Sequence, residues 1–190
     1  MKKRAAKIIS TITLAPFVSF YLLTAIYIRM RSVFEGVNWY VACLFFLTLM
    51  PISAYGLQYL IPSIRRQGRR GERRLAFIMS VAGYILGTLS CFLFNAPSGV
   101  KLIFLAYLVS GGVLALTNSV VGLKASGHAC GIAGPYVLAI YFFGRHLWYL
   151  LLLLLPVYWA RLTMKQHSLK ELNTGTLVGL AATSAVVIAF

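Results

Sequence analysis

Two short polar segments interrupt an otherwise apolar chain, and both carry side chains able to handle a phosphate ester. The first is Lys124-Ala125-Ser126-Gly127-His128; the second runs from Arg161 to Glu171 and contains His167. Lys124 and Arg161 can neutralise phosphate oxygens, Arg161 through a planar fork and Lys124 as a point charge. Ser126 and Gly127 stand where a helix is expected to begin, and free N–H groups at such an end favour an anion. Gly127 also allows close backbone approach. One histidine can attack phosphorus while the other protonates the leaving alcohol. Glu171, four residues after His167, lies one turn away if that stretch is helical and can fix the imidazole tautomer.

The shortage of acids narrows the chemistry further. The chain has no Asp and only Glu35, Glu72 and Glu171. Two-metal phosphoryl transfer and dicarboxylate glycoside hydrolysis both need more carboxylates than this, and one carboxylate beside two histidines on basic ground is a poor divalent-metal site. No metal or other cofactor is therefore expected. A Walker-type glycine loop is absent, which removes nucleotide-driven transport.

The elements that must position these segments are transmembrane helices. Hydrophobic residues make up 60% of 190 positions, and the mean hydropathy is +0.83, far from the usage of soluble domains. Apolar runs fall at about Ile8–Ile28, Asn38–Ile61, Leu75–Phe94, Val100–Leu123, Ala129–Gly144, His146–Ala160 and Thr174–Phe190. A span takes roughly 20 residues, so an all-α polytopic bundle of about six or seven spans is expected, with the fifth and sixth runs short. The whole chain, residues 1–190, reads as one integral membrane domain whose motif-bearing core covers about 100–190. The first run, behind MKKRAAK, is too long for a signal core and is expected to be retained as the first span.

Charge supplies an orientation. With seven spans, fourteen cations lie on the side of the N-terminus, the Arg65–Arg74 loop and both histidine segments, against Arg29, Arg31, Lys101 and Arg145 on the other. The positive-inside rule then puts the candidate site on the cytoplasmic side of a cell (inner) membrane. A net charge of +15 clustered at the ends of apolar runs points to anionic headgroups and not to nucleic acid. Cys43, Cys91 and Cys130 sit inside apolar runs and read as packing residues. His146 beside Arg145 reads as interfacial, as do Trp39, Tyr40, Trp148, Tyr158 and Trp159. Pro135 and Pro156 are expected to kink helices, and Gly111-Gly112 to permit close packing.

The two segments resemble the second and third signature motifs of the type 2 phosphatidic acid phosphatase superfamily, whose members share an active site with vanadium haloperoxidases. Ser126-Gly127-His128 matches its Ser-Gly-His. Arg161, His167, Glu171, Gly175 and Gly179 match the spacing of its Arg, His, acid and trailing glycines. The resemblance implies that His167 is a nucleophile forming a phosphohistidine, His128 the general acid, Glu171 the orienting acid and Arg161 a phosphate clamp. It also implies a similar helical core and a lipid phosphate as substrate: phosphatidate, phosphatidylglycerol phosphate, or a prenyl phosphate or diphosphate. The family's first motif, a Lys followed by Arg-Pro, has no counterpart between Lys101 and Lys124. Lys124 is expected to supply that charge. Glu171 replaces the usual Asp, and Ala160 the usual Ser. Two rival readings share this pattern: a phosphotransferase acting between lipids, and a non-catalytic relative that binds an anionic lipid.

Overall fold

A computed structural model describes residues 1–120 and 122–190. Val121, within the fourth apolar run, lies outside them. Among the described residues the secondary structure is helical, without a strand. The helices are α1 (Lys2–Ile12), α2 (Ala15–Arg29), α3 (Val37–Leu57), α4 (Arg69–Leu93), α5 (Ser98–Ser119), α6 (Gly127–Phe143), α7 (Arg145–Thr163) and α8 (Leu169–Ala189), with short turns at Arg31–Val33 and Pro62–Arg65.

The protein is an integral membrane protein by the length and apolar character of these helices. Five of them (α3, α4, α5, α7 and α8) are singly long and apolar enough to cross a bilayer, and α1 with α2 makes a sixth if the pair counts as one span. The larger figure meets the lower end of the expected six or seven. The helix α6, at 17 residues, falls short of the required length.

The first apolar run departs most from expectation. It is broken, with α1 and α2 bent by 54°. Pro16, in the first turn of α2, has no N–H to continue a helix from Ile12. Thr13 closes α1 instead, its hydroxyl donating to Ile9 O at 2.6 Å. The severed α1 is amphipathic, with Lys3, Lys7 and Ser10 on one face and Ile8 and Ile12 on the other; Lys2, Lys3, Arg4 and Lys7 are exposed, and Ala6 and Ser10, one turn apart, are buried.

The chain forms two compact units, residues 1–22 with 109–190 and residues 23–108. In the second unit, Arg69 to Arg74 are helical, so the expected arginine loop is only its first few residues. Arg propagates a helix well, and Glu72 in the first turn suits the positive end of the helix dipole. Tyr40 is a packing residue, stacked on Tyr27 with centroids 4.1 Å apart and bonded to Thr24 at 3.0 Å.

In the first unit, α6 and α8 form the most extensive helix pair, and α1 packs on α7. The α6–α8 contact is possible because Gly175 and Gly179 stand four residues apart on α8, a spacing that lets two backbones meet. A Cβ at Gly175 would run into the Ser126 carbonyl, and one at Gly179 would lie 2.7 Å from Cys130 O and 2.9 Å from Ala133 Cβ. By contrast Gly112, one of the two glycines expected to permit close packing, faces open space. Tyr158 is not purely interfacial: its hydroxyl reaches Asn173 at 3.0 Å and Thr176 at 2.8 Å, tying α7 to α8.

Gly175→Ala therefore sets two effects against each other. Helix propensity favours Ala by roughly 1 kcal/mol, whereas overlap with a peptide group, which cannot rotate aside, costs about 1–3 kcal/mol. The overlap should win, and the detergent-purified variant should melt below wild type. Gly127→Ala, whose Cβ meets only Leu114 Cδ2 at 3.7 Å, should leave melting unchanged. A Gly175→Ala protein as stable as wild type would remove the close-approach role.

Candidate active site

Each candidate residue lies in the first unit, and local chain geometry explains its position. Helix α7 ends in a Schellman turn: Gln166 N–H bonds to Arg161 O at 3.0 Å and Lys165 N–H to Leu162 O at 2.9 Å. Such a turn needs a left-handed residue after the cap, usually Gly. Lys165 occupies it at φ +52°. The reversal brings the chain straight into α8, whose N-cap is Ser168. Its hydroxyl accepts from Glu171 N–H, and the Glu171 carboxylate accepts from Ser168 N–H, each at 3.3 Å. Ser168-Leu-Lys-Glu171 is thus a capping box.

The box fixes the carboxylate against His167, with Nδ1 at 2.7 Å from Glu171 Oε2. His167 precedes the N-cap and is not itself helical, so the contact comes from the capping geometry and not from a helical turn. The ionised carboxylate only accepts, so Nδ1 carries a proton and the neutral ring has its lone pair on Nε2. Both side chains remain open to the surroundings, 17% exposed for His167 and 25% for Glu171.

The Ser126 segment reaches this point through its backbone. Ser126 N–H donates to Glu171 O at 2.8 Å, which joins the two motif segments directly. Ser126 itself is fully buried and serves as the N-cap of α6, accepting from Ala129 N–H at 3.4 Å. Its hydroxyl is thus engaged by the helix end. Gly127 is exposed at the first position of α6. Lys124 is exposed on the preceding loop, within electrostatic reach of the Glu171 carboxylate. Asn118 braces that loop, its Oδ1 accepting from Ala125 N–H at 2.6 Å.

Arg161 and His128 are brought together by a residue that motif reading does not reveal. Ser10 of α1 accepts from Arg161 Nη1 through its hydroxyl at 2.9 Å, and its backbone carbonyl lies 2.9 Å from His128 Nε2. Arg161 and Ser10 are both buried. Gln166, between Arg161 and His167, buries its side-chain oxygen without a hydrogen-bond partner among the described residues. Missing partners of this kind cost about 1–3 kcal/mol unless a ligand or water donates. No cluster of three or more His, Cys, Asp or Glu arranged to hold a metal ion occurs among the described residues.

The arrangement can hold an anion beside cationic side chains, offer an imidazole lone pair, and supply a proton from a second imidazole. No protein-family model, curated protein or solved structure matches this chain.

Proposed function

We propose that the protein is a membrane lipid phosphatase that works through a phosphohistidine. The observation that carries this reading is the 2.7 Å contact between His167 Nδ1 and Glu171 Oε2. A carboxylate on one ring nitrogen makes the other the better nucleophile, and the same carboxylate stabilises the imidazolium character that develops on attack.

In the proposed cycle Nε2 of His167 attacks phosphorus, the bond to the lipid oxygen breaks, and His128 gives that oxygen a proton. Water then attacks the phosphohistidine, losing its proton to His128, and inorganic phosphate leaves with His167 restored. Arg161 and Lys124 hold the non-bridging oxygens throughout. Exposed Gly127, at the start of α6, leaves a helix end open to the phosphate. A site at helix ends suits a substrate whose tail stays in the bilayer while its phosphate lies at headgroup level.

Purified protein in mixed micelles should release phosphate from at least one of phosphatidate, phosphatidylglycerol phosphate, a prenyl phosphate or a prenyl diphosphate. Turnover should persist in EDTA, and vanadate, a mimic of pentacoordinate phosphorus, should inhibit. Activity lost in EDTA and restored by magnesium would sink the mechanism. Phosphate appearing on an added lipid alcohol instead of in water would make the protein a phosphotransferase. Binding without either product would leave the lipid-binding reading.

A further inference from the structure

Ser10 touches both Arg161 and His128, and the way α1 ends explains why it can. In a continuing helix the Ser10 carbonyl would accept from Leu14 N–H. At the break Leu14 N–H turns to Thr11 O at 3.1 Å, so the Ser10 carbonyl is one of the carbonyls a helix end leaves for other donors. His128 Nε2 occupies it at 2.9 Å. One turn of α1 earlier, Ala6 is fully buried, which holds this face of the helix against its neighbours. The Ser10 hydroxyl meanwhile accepts from Arg161 Nη1 in a buried setting.

We propose that Ser10 is a positioning residue of the phosphatase site, acting through Arg161 and His128; the assignment rests on the lipid phosphatase reading above. Its hydroxyl holds the Arg161 guanidinium at a fixed angle, leaving the fork preset for phosphate oxygens. Its carbonyl, which can only accept, keeps the proton of His128 on Nε2. In the imidazolium form the second proton sits on Nδ1, and this is the one His128 passes to the leaving oxygen, returning to the neutral ring with Nε2–H still on the carbonyl; the ring cannot turn without losing that bond. The N-terminal helix thus contributes a third arm to the site where the family's first motif has no counterpart.

The test is a double-mutant cycle on the full chain. Ser10→Ala should raise KM for the lipid phosphate roughly tenfold and leave kcat within about threefold, the size expected for losing one hydrogen bond to a charged group. Ser10→Cys, of similar shape but a weak acceptor, should show the same rise, and Ser10→Thr, which keeps a hydroxyl, should restore KM to within about threefold. In an Arg161→Lys background, Ser10→Ala should add less than about twofold, because the fork it positions is gone. Wild-type KM in both Ser10→Ala and Ser10→Cys, or effects that multiply fully with Arg161→Lys, would overturn the assignment while leaving the phosphatase reading intact. Tighter vanadate binding in Ser10→Ala would overturn it too, by making Ser10 a plug. A wild-type protein with no turnover on any lipid phosphate would overturn both.

Discussion

Replacing His167 with alanine is expected to remove turnover and covalent phosphate together, a loss of more than about 10⁴-fold in kcat. The size follows from the chemistry, since His167 combines a lone pair with a carboxylate-held tautomer. Without Nε2 there is no atom to which phosphorus can transfer. Wild-type protein quenched during turnover of a ³²P-labelled lipid phosphate should carry acid-labile, base-stable label, as a phosphohistidine does. The alanine variant should carry none. Glu171→Gln keeps an acceptor near Nδ1 but removes the charge that stabilises the developing imidazolium, and should fall between the two, about 10–100-fold down. His167→Ala with near-normal turnover would end the mechanism and reduce the motif resemblance to a coincidence of spacing.

How far the sequence could be read depends on how local each cause is. Apolar runs locate the helices because burial in lipid is decided residue by residue. The break in the first run was also written locally, in Pro16, but Ile8–Ile28 is apolar enough to pass for one span. Its amphipathic first half shows only in the spacing that puts Lys3, Lys7 and Ser10 on one helix face and Ile8 and Ile12 on the other. The meeting of the two motif segments was expected, from the parity of a seven-span count. The means was not. Gly175 and Gly179 read as trailing motif glycines, whereas in the fold they admit the backbone of α6. Ser168 and Glu171 spell a capping box in plain sequence, and that box, not a helical turn from His167, sets the contact between His167 and Glu171.

Ser10 lay beyond sequence reading for a different reason. It is 118 residues from His128 and 151 from Arg161, and a serine inside an apolar run reads as a polar filler bonded to its own helix. Lys165 hid the end of α7 in a similar way, because the left-handed position that usually announces itself with Gly carries a long cationic side chain. Both are cases where tertiary demand overrides the local signal, and both fall at the candidate site.

His128→Ala should separate the two halves of the proposed reaction. A lipid alkoxide is a poor leaving group without a proton, so losing the general acid should slow hydrolysis of a lipid phosphate by about 10²–10⁴-fold. At about 1.36 kcal/mol per decade that removes roughly 3–5 kcal/mol of transition-state stabilisation. Nitrophenolate leaves without a proton, so the first turnover of nitrophenyl phosphate should return to within about tenfold of wild type. The second half does not benefit, because water still needs a base to attack the phosphohistidine. Rapid mixing should therefore show a burst of nitrophenolate matching the enzyme concentration, followed by slow release of phosphate and build-up of label on His167. A first turnover slowed equally for both esters would take the proton-donor role from His128, and its bond to the Ser10 carbonyl would then serve only to hold α1 against α6.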